Sequence, residues 1–221
     1  MDFLRARTPE AKRLREESIL AAAARLATSN GVREVTVTAI ADEVGMHKSA
    51  MLRYFETRED IFLHLAADGW RDWSAEVREQ LAAMPPCPDA HAIAALLARS
   101  LVARPLFCDL LAHTPLNLER NVSTDTVRSF KTVAIAEVTQ IGGALCTVAP
   151  IGPGQAHNVV TTATSMAGAL WQMAAPGTHL RAFYESDPEL SHSIVEVEPR
   201  LTDILSALLS GYAAADRSRV N

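Results

Sequence analysis

The chain has 221 residues, 48% hydrophobic, 21% charged and only 5% aromatic, with a formal net charge of −5. That balance excludes bulk disorder, and it argues against a protein that coats nucleic acid indiscriminately, because displacing counterions along a duplex needs a basic surface. Cys87, Cys108 and Cys146 are too few and too scattered for a disulfide framework or a paired-cysteine metal knuckle, which fits a reducing cytoplasm.

Residues 1–15 hold Arg5, Arg7, Lys12, Arg13 and Arg15 against Asp2 and Glu10, a local +3. They contain no uninterrupted apolar core of signal-peptide length, so export is not expected. Residues 1–60 carry ten basic and ten acidic side chains, whereas residues 61–221 carry eleven and sixteen, so the whole negative balance lies in the second part.

Apolar spacing is helical throughout and strand alternation is lacking, which predicts an all-α fold. The first helix is expected from Pro9 to Ser29, with Ile19, Ala22, Ala23 and Leu26 as its buried stripe and Asn30-Gly31 as a left-handed stop. A short helix follows from Val37 to Val44 behind the N-cap Thr36. Gly45 then breaks the chain before a third helix from about His47 to Phe55.

Arg58-Glu59-Asp60 opens a longer helix that the prolines at 85, 86 and 88 terminate. Further helices are expected at about Ala90–Ala103, Pro105–Thr114, Ser123–Val148, Gly154–Ala175 and Glu198–Ala214. The stretch from Pro176 to Val197 mixes Pro, Gly, Ser and acids, and reads as a long connection with at most a turn or two of helix. The most membrane-like segment, Val159 to Ala175, is interrupted by Thr161, Thr162, Thr164, Ser165 and Gln172 and falls short of the roughly 20 apolar residues of a span; it reads as a buried helix, and no membrane partner is expected.

Two short helices around a tight glycine turn form the informative segment. Val37, Ile40, Ala41 and Val44 share one face of the second helix, and Met51 with Phe55 make the inner face of the third. Opposite them lie Ser49, Ala50 and Arg53, flanked by Leu52 and Tyr54, with His47 and Lys48 in the first turn. Such a face suits a major groove: Arg meets guanine, a small or apolar side chain meets a thymine methyl, and hydroxyls or amines hold phosphates. Thr36 and Thr38 at the start of the second helix suit a phosphate as well.

Thr36, Ile40-Ala41, Gly45, Tyr54-Phe55 and Arg58-Glu59-Asp60-Ile61, preceded by Gly31-Val32, stand in the order of the amino-terminal domain of the tetracycline-repressor (TetR) family, which residues 10–62 resemble. His47, Ala50, Met51 and Leu52 depart from the usual Ser, Thr, Leu and Tyr, and remove hydroxyls from the expected interface. The resemblance implies a helix-turn-helix DNA-binding domain over residues 1–62 and a helical ligand-binding and dimerisation domain over residues 63–221. The expected DNA-facing residues are Thr36, Thr38, His47, Lys48, Ser49, Ala50, Leu52, Arg53, Tyr54 and Arg58.

It further implies a cytoplasmic homodimer, joined through the last two long helices, that binds a double-stranded palindromic operator and is released by a small molecule. The helix Gly154–Ala175 is rich in small residues, Thr161, Thr162, Ala163, Ser165, Ala167, Gly168 and Ala169, which permit close helix approach either to a partner or within the chain. Trp70, Trp73, Phe107, Cys108, His113, Asn117, Met166, Trp171 and Met173 are the candidate ligand-lining residues, being aromatic, sulfur-bearing or isolated polar groups on the middle helices.

No cofactor is implied. The chain has no His-Glu-x-x-His, Gly-x-Ser-x-Gly or phosphate loop, so an enzyme is the lesser reading. His113 and Glu119 leave room for a metal-sensing regulator, and the helix-turn-helix pattern alone would also suit a sequence-indifferent DNA binder.

Overall fold

Helix α1 (Pro9–Asn30) buries Ile19, Ala22, Ala23 and Ala27 and ends where Gly31 adopts φ 84°, a left-handed backbone that a side chain would strain. The computed structural model describes residues 9–174, 176–190 and 194–220, so Arg5 and Arg7 lie outside the described residues. A single 3-10 turn (Val32–Glu34) leads into α2 (Val37–Glu43), whose first turn is capped by the Thr36 hydroxyl accepting from Ala39 N–H at 3.1 Å.

Gly45 turns the chain at φ 63° into α3 (Lys48–Met51). This helix is shorter than its apolar pattern predicts. After Leu52 the amides of Arg53 and Tyr54 reach back only three residues, to Ala50 and Met51, so the second half is a tightening turn.

Thr57 caps α4 (Arg58–Ala82) through Asp60 N–H, and the Asp60 carboxylate returns to Glu56 N–H at 2.9 Å, an exchange that fixes the angle at which α4 leaves the head. Helix α4 continues unbroken past residue 62 and joins the head to the body. The body consists of α5 (Ala90–Val102), α6 (Pro105–His113), a wide π-type turn (Thr114–Leu118), α7 (Thr124–Val148), α8 (Pro153–Ala174), α9 (His179–Ser186) and α10 (Val197–Val220). All ten helices and no strands occur among the described residues.

In the body α4 packs on α7, α5 on α10, and α8 lies against α6, α7 and α10. One apolar cluster runs from Ile19 and Met51 in the head through Trp73 and Leu97 to Leu145, Val160 and Leu205 in the body. No single helix is long and apolar enough to cross a membrane; α7 and α8 pass such a test only as a pair bent by 118°. On α8, Val159, Val160, Ala163, Ala167 and Leu170 are buried.

Helix α9 supplies two full turns inside the long connection, in keeping with the turn or two of helix that the sequence allows there. Thr178 caps it by accepting from Arg181 N–H, and Arg181 pairs with Glu185 at 2.6 Å and with Glu196 at 3.0 Å. The ion pair to Glu196 reaches beyond the helix, which single-segment periodicity does not detect. Helix α10 also runs past the expected end at Ala214.

Candidate nucleic-acid interface and effector clefts

The head presents α2 and α3 outward. Thr36, Thr38, His47, Lys48, Ser49, Leu52 and Arg53 are exposed, Ala50 and Tyr54 are half-buried, and Met51 and Phe55 point into the core. His47 Nδ1 lies 3.3 Å from the Ser49 hydroxyl, which holds both at the first turn of α3. The side chains of Lys48 and Arg53 have no ion-pair or hydrogen-bond partner among the described residues. Leu52 is 45% exposed beside them, a large apolar side chain left in water on a basic face. Arg25 pairs with Glu43 at 3.0 Å and braces α2 against α1.

Arg58 is a correction to the expected DNA-facing set. Its guanidinium donates to the carbonyls of Val35 and Val32, pairs with Glu59 at 3.0 Å and lies over the Phe62 ring at 4.7 Å. All of these donor groups are directed into the protein, because the turn after α1 would otherwise leave carbonyls unpaired. It is a staple of the head.

Two hydrogen bonds from backbone N–H groups to carboxylates fasten the head to the body. Asp109 on α6 accepts from Val32 N–H at 2.6 Å and from Gln172 of α8 at 2.7 Å, with His113 Nε2 at 3.4 Å. Burial pushes the Asp109 carboxyl up, but the hydrogen bonds from His113, Val32 and Gln172 outweigh that and hold it below its ordinary 3.8. On the other side, exposed Glu56 accepts from Ser123 N–H, just before α7, at 2.7 Å, and that bond lowers its pKa.

The expected ligand-lining residues divide. Trp70, Trp73 and Phe107 stack edge to face, with centroids 5.6 Å apart for Trp70 and Phe107 and 5.7 Å for the two tryptophans. Trp73 is fully buried and donates to Ser100 Oγ at 2.9 Å. This cluster fills the space between α4 and α6: a Cβ at Gly69 would stand 2.5 Å from the Phe107 ring. Cys108 is buried and donates to the Leu101 carbonyl; burial, then the Asp109 charge, pushes its thiol up to about 12, so it is inert packing.

Met166 packs half-buried against the core, and Met173 is 59% exposed on the outer side of α8. These placements take Trp73, Cys108 and Met173 out of the expected lining. Asn117 buries a side-chain oxygen without a hydrogen-bond partner among the described residues, in the π-type turn. Glu119 pairs with Lys131 at 2.7 Å while His113 faces Asp109, so the two side chains that a metal sensor would use are engaged separately; no group of three metal-ligating side chains occurs among the described residues.

His113 and Trp171 do come together, with Asp109 and Gln172, around a cleft of about 410 Å³ between head and body. Trp171 also borders a second cleft of about 870 Å³, closed on its far side by α9 and the segment 195–199. Phe107 edges a third of about 320 Å³ beside Asp68 and Asp72. Asp109 and Gln172 lie outside the expected set, although a lone acid in the apolar run Leu106-Phe107-Cys108-Asp109-Leu110-Leu111 is a signal that could have found Asp109.

The small residues of α8 also divide. Ala163, Ala167 and Gly168 face inward, and a Cβ at Gly168 would meet Ala112 N at 2.8 Å, so they serve the close approach of α6 within the chain. Ser165 and Ala169 remain exposed beside half-buried Thr161, as do Ala207 and Gly211 on α10, with Asn158 of α8 donating to Tyr212 of α10 at 3.1 Å.

Residues 19–65 match the family model described as bacterial regulatory proteins, tetR family, and residues 67–216 match the tetracyclin repressor-like C-terminal domain. No curated protein matches the sequence. Among solved structures, the fatty acid degradation regulator FadR of Bacillus halodurans superposes with a TM-score of 0.55 at 15% identity, covering 93% of this chain and 97% of its own. FadR of Bacillus subtilis, in complex with stearoyl-CoA, gives 0.55 at 16% identity over 88% and 98%. FadR of Thermus thermophilus, in complex with lauroyl-CoA, gives 0.51 at 18% over 82% and 95%. At such identities the likeness is one of fold.

Proposed function

This chain belongs to the TetR family of bacterial regulatory proteins, and from that premise we propose that it represses transcription as a cytoplasmic homodimer on a palindromic operator and is released by a small organic ligand. It is a ligand-responsive DNA-binding transcriptional regulator by family, and its fold is that of such regulators. The observation that carries the proposal is the clustering of two cations, Lys48 and Arg53, on one exposed face with Ser49, Thr38 and Leu52, neither cation having a partner among the described residues, whereas Arg25 and Arg58 nearby are ion-paired.

In this reading residues 1–62 grip DNA and residues 63–221 bind ligand and dimerise. Two recognition helices must enter successive major grooves, roughly 34 Å apart, so dimerisation is part of the mechanism. The outward small residues of α8 and α10 suit the two-fold contact.

The acyl-CoA ligands of the FadR relatives transfer poorly. The cleft of about 870 Å³ sets Glu185, Glu196 and Glu198 against Arg181, which is already ion-paired, and would repel a polyphosphate. Selection of bound duplexes from a random pool tests the proposal. Enrichment of an inverted repeat at fixed salt is the expected outcome; affinity equal to that for random duplex would replace it with the sequence-indifferent reading.

A further inference from the structure

Resting on the regulatory reading above, we propose that the cleft between head and body is an effector site for a small organic cation, with the Asp109 carboxylate as its counter-ion. The cleft, about 410 Å³, lies in the size range of small-molecule sites. One wall belongs to the head, from the end of α1 through Glu34. The other belongs to the body, with Asp109, His113, Trp171 and Gln172.

Asp109 is 9% exposed, and its oxygens accept from the amide donors of Val32 and Gln172, with His113 farther off. No Lys or Arg pairs with it among the described residues. A buried carboxylate held by two amide donors and a more distant imidazole, with no Lys or Arg to balance its charge, gains from a cation, because attraction between opposite charges is stronger where water is excluded. Trp171 on the same wall offers an aromatic surface for the apolar part of such a ligand, and cations are attracted to an indole face. Arg33 and Glu34 at the rim of the head cancel in charge. The other two clefts described above are also edged by carboxylates, and the arginines beside them, Arg181 and Arg104, are already ion-paired.

The consequence for DNA follows from which bond the ligand must break. A cation that takes Asp109 Oδ2 removes the acceptor of Val32 N–H, and that bond joins the head to α6. The ligand therefore binds the unlatched state better and shifts the population towards it. By reciprocity, operator binding weakens the ligand by the same factor.

Benzamidine, an aryl cation, and benzamide, its neutral counterpart of the same shape, are the probes, added to the free full-length protein. Benzamidine is expected to shift the Trp171 indole N–H resonance and to speed hydrogen exchange at the Val32 amide by about tenfold, as local opening would. Benzamide is expected to do neither, and Asp109→Asn to abolish the difference between them. Equal responses to both probes, or a Trp171 shift without faster exchange at Val32, would overturn the proposal. Should Asp109→Asn fail to fold, the two probes on the wild-type protein decide alone. Neither readout uses DNA, so a chain that ignored every duplex would sink the regulatory reading and leave this result standing.

Discussion

Arg53 and Arg58 stand five positions apart in the head and are used in opposite ways. Arg58 points inward and donates to two backbone carbonyls and a carboxylate; Arg53 points outward and donates to nothing among the described residues. The same division separates the two surfaces of the head. On the side facing the body, Val32 N–H, Glu56 and Asp60 all have partners, whereas the outer side leaves Lys48, Arg53 and Leu52 without one. A face that gathers two cations and leaves a leucine in water is the one proposed to meet DNA.

Removing the inward arginine should produce the largest effect. Arg58→Ala strands the carbonyls of Val32 and Val35 and takes a cation from the Phe62 ring, and is expected to cost about 3 kcal/mol of stability in a urea titration. An unchanged midpoint would break the comparison at its root. Next comes Arg53→Ala, expected to leave the same titration unchanged but to weaken operator binding by roughly 1–3 kcal/mol at fixed salt. Loss of stability instead would move Arg53 to the structural side.

Much of this architecture is legible from residue spacing. Helices α1, α4, α7 and α8 announce themselves by period and by breakers such as Gly31 and the prolines at 85, 86 and 88, because their stability comes from one continuous apolar face. Helix α9 does not, since its ion pair to Glu196 lies beyond the segment. The recognition segment is visible as a face but not in its inward exceptions. That Arg58 turns back to Val32 and Val35 depends on where the end of α1 lies, which only tertiary packing sets. Trp70 and Trp73 are residue types that serve a core more often than a pocket, and the packing of Phe107 against Gly69 puts them in the core. Asp109 escapes because a single acid carries no period.

Leu52 sharpens the comparison at a smaller scale. An exposed leucine between Lys48 and Arg53 is unfavourable in water and would meet a thymine methyl in the groove. Deoxyuridine in place of one thymidine removes only that methyl. At the matching operator position the wild-type protein should lose about 0.8 kcal/mol, the worth of one buried carbon, and Leu52→Ala should lose almost nothing further. Equal sensitivity of both proteins to the deoxyuridine would assign the methyl to another side chain.

The smallest effect concerns His64, on the inner side but half-exposed. The Asp60 carboxylate at 3.1 Å raises its pKa above the ordinary 6.5, against the opposing pull of burial, with further help from the Asp60 carbonyl and from Asp68. A raised histidine stabilises the fold fully below its unfolded value, and that contribution disappears as pH rises through the folded one. Solvent screening at this site keeps it below roughly 0.5 kcal/mol. Melting temperatures of wild type and His64→Gln should therefore converge in difference as pH climbs from about 6 to about 8, the wild type losing its small advantage. A gap that widened with pH would mean that neutral His64 is the better partner of Asp60.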